Sequence, residues 1–397
     1  MKVLFYRYGS VCEPDIIEAF KELGVVVVEE TTEITKKNLI PSEVVSLVNL
    51  RLQKENVDFI FSVNFFPAIS EVCRIYRIPY VSWTVDCPVL ELFTKSVKNE
   101  CNRIFLFDKQ QYEDIRQLNP NCVYYLPLAA NVSHKEKVIK QASKSLKCRF
   151  KSKISFVGSL YTEKSPYDML DKKKVPKEMI GFLEGLMAAQ ELVYGYYFTD
   201  EVLTDEFSKK FAEYCPNFRP SYSNLHDEDF LKDKILLSQF YLGNGITARE
   251  RLHIAKSLEN ELTIYTASNT SSLKGLDNRG TVKTLEEMPI VFSESSVNLN
   301  MTSRAIRSGL PFRIFDVLSC GGFLLTNYQP ELQELFNIGE ELVYYGSIDE
   351  LREKALYYAD DARSAQRREI AENGLKAIKE RHTFPIRIEQ MLRAVFV

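Results

Sequence analysis

The stretch NLNMTSRAIRSGLPFRIFDVLSCGGFLLTN, residues 298–327, decides the fold because one run contains a turn, a helix and a strand. Ser308-Gly309-Leu310-Pro311 has the composition of a turn, and Pro311 suits the first position of a helix. We expect the helix to cover PFRIFDVLSC and to end in a left-handed cap at Gly321-Gly322. FLLTN then follows as a buried strand.

Two faces of this predicted helix carry different chemistry. Phe312, Phe315 and Leu318 recur at helical spacing and are predicted to face a core. Arg313 and Asp316 lie three residues apart and share another face near the helix start. A cation and free helix N–H groups suit phosphate, and a carboxylate suits hydroxyls, so the pattern fits a sugar diphosphate. A surface ion pair on an ordinary packed helix explains the same residues.

Composition narrows the class of protein. With 397 residues the chain is too long for one typical core, so two domains are expected. Its 45% hydrophobic and 26% charged content are those of a soluble globular protein, and 12% aromatic residues indicate large buried rings or a sugar-binding cleft. The net charge of −3 argues against a dedicated nucleic-acid binder and gives no general attraction to membranes.

The cysteines and histidines predict neither disulfides nor a metal site. Eight cysteines without a CxxC pair are typical of the reduced thiols of a cytosolic protein, and the four histidines are scattered. Asp227-Glu228-Asp229 resembles a metal-binding DxD, but acids also favour a helix start, where this segment is predicted to lie. No signal peptide and no membrane-spanning run are found, so we expect a cytoplasmic protein.

The first 130 residues alternate between short apolar strands and helices, which predicts a doubly wound parallel sheet. VVVV at 25–28 is expected to be one of its buried strands. Ligands bind at the carboxyl ends of such strands, and Asp86 follows the strand Tyr80–Thr84. Its carboxylate is placed to take a proton from an acceptor hydroxyl. Alternatively Asp86 caps the following helix, with Pro88 near the first turn, and the two roles are compatible.

The second half begins after a polar, Lys/Ser-rich stretch at 131–152 that is expected to be the domain boundary. Its first strand runs into Gly158-Ser159-Leu160-Tyr161, which either presents backbone N–H groups to an anion or is a simple turn. Arg249 and Arg251 are predicted near a helix start, which indicates a neighbouring anion or acid. Arg279-Gly280-Thr281-Val282 is a candidate edge strand.

The predicted domains are residues 1–135 and 151–375, with a helical insertion at 175–257 in the second. Residues 376–397 form a C-terminal helix that is a candidate for packing back on the first domain.

Two segments resemble a known family. LEEMPIVFSESSVNLNMTSRAIRSGLPFRIFDVLSCGGFLLTNYQPELQELF is similar to the C-terminal region of CgeB-like glycosyltransferases, the spore maturation protein-like family. DFIFSVNFFPAISEVCRIYRIPYVSWTVDCPVLELF resembles their N-terminal domain. The resemblance covers nearly the whole chain and is weakest from about 165 to 260. It implies the α/β GT-B fold, in which two Rossmann-like domains face a cleft and the N-terminal one takes the acceptor.

The resemblance also assigns roles to residues. Asp316 stands where relatives contact the nucleotide ribose with a Glu, and Ser308 replaces the acid that retaining members carry eight residues earlier. The turn at 158–161 matches the place where relatives meet the diphosphate, and Arg279-Gly280-Thr281 the place where they hold the base. Asn300 and Arg313 recur in the family pattern.

The implied activity is sugar transfer from a nucleotide sugar, UDP-linked by default, to a hydroxyl of a glycan, lipid or protein. No metal, other cofactor or nucleic acid is expected, while peripheral membrane contact remains open. Two alternatives stay open: a non-catalytic nucleotide-sugar-binding module, which Ser308 makes credible, and a nucleotide-sugar epimerase on the same fold.

Overall fold

The computed structural model describes residues 1–163, 165–220 and 230–396. Asp227-Glu228-Asp229 therefore lies outside the described residues. The chain forms two compact units. The first comprises residues 1–128, 384–396 and the described part of 219–231, and the second comprises 129–218 and 232–383, again without the residues outside the description.

Each unit is built on a parallel sheet that has six strands among the described residues. The first sheet has the order β2-β1-β3-β4-β5-β6 and the second β12-β11-β10-β7-β8-β9. The strands are β1 Lys2–Tyr6, β2 Val26–Glu30, β3 Phe59–Val63, β4 Tyr80–Thr84, β5 Asn102–Leu106, β6 Val123–Tyr125, β7 Ser152–Val157, β8 Leu262–Tyr265, β9 Asp277–Asn278, β10 Ser295–Asn300, β11 Leu324–Asn327 and β12 Val343–Tyr345.

Helices connect these strands, as the alternating pattern predicts for parallel sheets. They are α1 Glu13–Glu22, α2 Thr32–Thr35, α3 Pro41–Lys54, α4 Pro67–Tyr76, α5 Lys109–Arg116, α6 Val132–Gln141, α7 Lys144–Phe150, α8 Pro166–Met169, α9 Lys177–Glu191, α10 Thr199–Val202, α11 Asp205–Tyr214, α12 Asp233–Ile235, α13 Gly243–Ser257, α14 Met288–Glu294, α15 Phe312–Ser319, α16 Leu332–Leu335, α17 Ile348–Ala359, α18 Ser364–Arg381 and α19 Phe384–Phe396. The predicted α/β class is confirmed, and α8–α13 form the helical insertion between β7 and β8.

The stretch 298–327 forms the end of β10, then α15 and β11, and β10 pairs directly with β11. The predicted helix is one residue too long at each end, because Pro311 is extended and Cys320 is its C-cap. Gly321 has a φ of +67°, as the left-handed cap requires. Phe315 and Leu318 are fully buried, but Phe312 is only half-buried.

The first unit is completed by the C-terminal helix. The ring of Phe384 lies 6.0 Å from that of Trp83, and the ring of Phe396 lies 5.3 Å from that of Phe59. Arg387 Nε donates a 3.0 Å hydrogen bond to the Pro127 carbonyl. The helix that packs here begins at Phe384, whereas residues 376–381 of the predicted range belong to α18 of the second unit.

Three further sequence predictions differ from the structure. The boundary expected at 131–152 lies just before this stretch, between Leu128 and Ala129. The stretch itself forms α6 and α7 in the second unit, because Asn131 and Ser143 cap helices that its Lys/Ser-rich composition conceals. VVVV does not give a buried strand, since β2 is an edge strand and Val26 is 59% exposed. The predicted edge strand at 279–282 is not formed; β9 covers the two preceding residues, Asp277–Asn278.

Candidate functional site

The strand order of the first sheet places a topological switch point between β1 and β3, because the chain passes from β1 to β2 on one side of β1 and then to β3 on its other side. Ligands bind in open α/β sheets at the carboxyl ends of strands beside such a point. Tyr8 follows β1, Asn64 follows β3, and Asp86 follows the adjacent strand β4. These three side chains, here called the Asp86 cluster, form one hydrogen-bonded group.

Asn64 organises the Asp86 cluster. Its Nδ2 donates to Asp86 Oδ2 at 2.8 Å and to the Tyr8 hydroxyl at 2.9 Å, while its Oδ1 accepts from the Val85 N–H at 3.0 Å. Asn64 has a φ of +57°, a left-handed conformation that Asn tolerates better than most residues. Its geometry therefore joins the ends of three strands and holds an exposed carboxylate at the switch point.

The alternative role of Asp86 as a helix cap is wrong. The 3₁₀ turn that follows covers Leu90–Phe93, and its N-cap is Val89, which makes no side-chain cap. Burial, together with the nearby charge of Asp86, raises the pKa of the Tyr8 phenol above its ordinary range. Tyr8 therefore stays protonated at neutral pH and remains able to donate a hydrogen bond.

In the second sheet the switch point lies between β7 and β10. Gly158-Ser159-Leu160-Tyr161 follows β7, as predicted, but three of its four N–H groups already have partners. Gly158 N donates to the Tyr265 carbonyl at 3.1 Å, Leu160 N to Ser268 Oγ at 2.8 Å and Tyr161 N to Ser159 Oγ at 2.8 Å. These serine hydroxyls must turn away before the 158–161 loop can offer its Leu160 and Tyr161 N–H groups to an anion.

A carboxylate also lies beside this loop. Burial opposes its ionisation, but hydrogen bonds from Ser159, its own backbone and Ser268 lower the pKa of Glu163 to about 2. Glu163 is therefore negatively charged at neutral pH and disfavours a second anion unless it moves.

Arg251 contacts the segments that follow the two strands of this switch point. Its Nη1 donates to the Ser159 carbonyl at 2.6 Å and its Nη2 to the Met301 carbonyl, so one guanidinium connects the segments after β7 and β10. Arg251 is buried, its guanidinium carbon is 4.7 Å from the ring centre of Tyr161, and its Nε has no hydrogen-bond partner within the described part of the chain. The arrangement places a positive charge at the switch point.

The predicted position of Arg249 and Arg251 in this helix is wrong, but the predicted acidic neighbour is present. Arg251 and Arg249 lie in the middle of α13, not near its start, because the helix begins at Gly243. An acid is nearby, as expected: Arg249 forms an ion pair with Glu184.

Asn300 ends β10, and Ser308 and Gly309 lie in the segment between β10 and α15. Asn300 is buried, and its Nδ2 donates to Thr302 Oγ1 and Thr326 Oγ1 at 2.9 Å each. These hydrogen bonds connect the end of β10 to β11 and to the segment that follows β10. Ser308 donates a 2.7 Å hydrogen bond to Oε1 of Glu331, which is 1% exposed. The position that lacks an acid in sequence thus has a carboxylate beside it in space, which the sequence analysis missed.

Asp316 lies in the second turn of α15 and contacts two cations. Its Oδ1 accepts a 2.7 Å hydrogen bond from Lys135 Nζ, and its Oδ2 is 3.7 Å from Arg313 Nη1. Arg313 turns toward α14, with Nη1 2.6 Å from Met288 Sδ and its guanidinium carbon 5.1 Å from the ring centre of Phe292. The predicted ion pair therefore exists, and Lys135 is its missed third member.

The segment predicted to hold a base is exposed apart from Gly280, which is half-buried. Arg279 Nε donates to Asp277 Oδ2 at 2.8 Å, and its Nη1 donates to the carbonyls of Arg149 at 3.0 Å and Lys151 at 3.2 Å. Gly280 has a φ of +76°, and its N–H donates to Asn278 Oδ1 at 2.9 Å. Arg279 is thus engaged with its own unit, and Thr281 is exposed.

Among the described residues, no three His, Cys, Asp or Glu side chains are grouped so that they can hold a metal ion. None of the helices in the described ranges is long and apolar enough to cross a membrane.

Known proteins resemble this chain in part of its sequence and in its architecture. A family model described as glycosyl transferase-like matches residues 249–393. HepE of Anabaena, solved with UDP-glucose, has a TM-score of 0.54 at 13% identity over 100% of this chain and 99% of its own. Sucrose-phosphate synthase of Thermosynechococcus elongatus has a TM-score of 0.57 at 10% identity over 100% and 99%. A UDP-forming α,α-trehalose-phosphate synthase of Burkholderia xenovorans has 0.54 at 12% over 99% and 98%.

None of the curated proteins matches the chain by sequence. The structural matches show that the chain has the GT-B fold, as the resemblance implied. At these identities they show the fold alone.

Proposed function

We propose that the protein is a glycosyltransferase that moves a sugar from a nucleotide-sugar donor to a hydroxyl acceptor. The observation that carries this proposal is the glycosyl transferase-like match at 249–393, since it includes α15 with Arg313 and Asp316 on a GT-B scaffold. The UDP-glucose complex of HepE supports a UDP-linked donor.

In the second unit, the donor nucleotide lies at the β7–β10 switch point. Departure of a nucleoside diphosphate develops negative charge, so preorganised cations and N–H groups lower the barrier. Arg251 supplies positive charge there, and the N–H groups of the 158–161 loop join when Ser159 and Ser268 release them. Asp316 accepts hydrogen bonds from the ribose. The backbone around Arg279-Gly280-Thr281 holds the base.

In the first unit, the acceptor hydroxyl lies at the Asp86 cluster. Asp86 accepts its proton as the hydroxyl attacks the donor sugar, and Asn64 fixes the carboxylate. Tyr8 donates a hydrogen bond to the acceptor.

The finer assignments belong to the same proposal. The two quoted segments support a CgeB-like enzyme acting on a hexose, without a metal ion, in the cytoplasm, on a glycan, lipid-linked or protein acceptor. A carboxylate pair for a metal is not needed when the leaving diphosphate is stabilised by the protein's own donors.

The test measures release of UDP and GDP from a panel of nucleotide sugars, with and without candidate acceptors. Acceptor-dependent release is the expected result. Conversion of the donor sugar without any acceptor would instead identify an epimerase.

A non-catalytic nucleotide-sugar-binding module is the second candidate, favoured by Ser308 at the position where retaining relatives carry an acid. Tight nucleotide binding without turnover by any donor and acceptor would support it. The carboxylate of Glu331, hydrogen-bonded to Ser308, favours the enzyme because it supplies an acid to the same neighbourhood.

A further inference from the structure

Lys135 is a buried cation whose partner is the proposed ribose-binding residue. It is 7% exposed, and its Nζ lies 2.7 Å from Asp316 Oδ1. Lysine is almost never buried to this extent unless it is paired, and the direct partner here is a carboxylate. The ion pair joins α6 to α15, which are far apart in sequence.

The helix that carries Lys135 is fixed on both sides of it. Asn131 caps α6 by accepting from the His134 N–H at 3.1 Å, and the His134 ring nitrogen Nε2 is hydrogen-bonded to the Leu285 carbonyl at 3.0 Å. Glu136 forms a 2.7 Å ion pair with Lys379. Three successive residues thus attach α6 to three separate segments of the second unit, so the ammonium group has little freedom to follow Asp316 elsewhere.

The ion pair with Lys135 leaves the two carboxylate oxygens of Asp316 with different capacities to accept further hydrogen bonds. Oδ1 accepts from Lys135, whereas Oδ2 is only within 3.7 Å of Arg313, and the side chain is 17% exposed. A carboxylate has about four acceptor sites, so Oδ2 retains capacity for further hydrogen bonds. Fixing a flexible side chain before a ligand arrives reduces the entropy lost on binding.

We propose that Lys135 is a positioning residue: it holds Asp316 so that Oδ2 accepts hydrogen bonds from the ribose 2′- and 3′-hydroxyls of the donor nucleotide. The inference rests on the proposed function. Lys135 contacts the ligand only through Asp316, so its loss weakens recognition of the ribose hydroxyls more than recognition of the base and phosphates.

The test compares the affinities of UDP and 2′,3′-dideoxy-UDP by titration calorimetry on the full chain. We expect the wild-type protein to prefer UDP by at least about tenfold, and K135M to reduce that preference by about fivefold or more. K137M is the control, since Lys137 lies exposed on the same helix. K135Q, which keeps a hydrogen-bond donor, should recover part of the preference and serves if K135M does not fold.

Dependence on Asp316 separates positioning from a general loss of packing. In a D316A background, in which the preference is already small, adding K135M should change it no further. An unchanged preference for UDP in a folded K135M protein, or in K135Q where K135M does not fold, would overturn this inference alone, as would an equal loss in K137M. Absence of UDP and GDP binding by the wild-type protein would instead overturn the proposed function, and this inference with it.

Discussion

At the scale of single residues, Asp316 is the carboxylate on which nucleotide recognition depends in our proposal. Asp316→Ala should weaken UDP binding by about 10- to 100-fold, because a hydrogen bond to a charged group contributes about 1.5–3 kcal/mol. The fold should persist, although Lys135 loses this ion pair. Titration calorimetry measures the affinity, and Glu380→Ala, which removes the exposed ion pair to Lys376 in the same unit, is the control. UDP affinity equal to wild type in folded Asp316→Ala would remove Asp316 from the site.

Asp86 is expected to act on turnover and not on donor binding. Asp86→Asn keeps an oxygen that accepts from Asn64 but cannot take a proton, so kcat should fall by about 100-fold or more while UDP affinity is retained. Steady-state kinetics with the identified donor and acceptor provide the measurement. Asp58→Asn is a matched control, since Asp58 is an exposed, hydrogen-bonded acid at the opposite end of the adjacent strand. Wild-type turnover in Asp86→Asn would show that Asp86 does not accept the proton of the attacking hydroxyl.

Single-residue prediction from sequence succeeded where position along an element determines the environment. Asp86 follows an apolar strand, so its exposed place at a strand end was predictable. Lys135 and Glu331 were missed because their significance comes from partners distant in sequence, Asp316 and Ser308. A carboxylate supplied from 23 residues away cannot be read from local spacing.

At the scale of elements, the glycine pair after α15 sets how closely that helix approaches its neighbours. A Cβ on Gly322 would lie 2.7 Å from the Phe292 carbonyl oxygen and 2.8 Å from Asn298 Nδ2, so backbone must shift to admit it. Gly322→Ala should therefore lower the free energy of unfolding by about 1–3 kcal/mol, the usual cost of overpacking a core. Urea denaturation measures this change.

Gly321→Ala separates crowding from backbone conformation. A Cβ there meets only Leu375 Cδ2 at 3.8 Å, but the φ of +67° costs an L-residue about 1 kcal/mol. Stability loss should consequently be smaller for Gly321→Ala than for Gly322→Ala, and the opposite order would contradict the packing argument.

Elements were predictable where both their ends carry a local signal. Tyr80–Thr84 matches the predicted bounds, since a proline directly precedes it. The exposure of Val26 was not predictable, because an edge strand and a central strand have similar residues and differ only in strand order. The helices at 132–150 were missed because lysine- and serine-rich helices resemble linkers in composition.

At the scale of the whole molecule, each unit presents polar residues at the switch point of its own sheet, so the two halves of the proposed reaction can be tested separately. A nucleotide that binds only the native protein stabilises it by about 2.7 kcal/mol when the free nucleotide concentration is 100 times the Kd. Binding of UDP alone should stabilise the second unit, because Arg251 and Asp316 belong to that unit.

Hydrogen exchange read by mass spectrometry locates the effect. With UDP, amide protection should rise in peptides covering 152–163 and 295–319, while peptides covering 59–63 and 80–86 stay unchanged, because local opening is suppressed where a ligand binds. Asp316→Ala at the same UDP concentration should lose most of the gain. Protection confined to the first unit would place the nucleotide at the Asp86 cluster and reverse the donor and acceptor assignments, since the strand-end argument applies equally to both sheets.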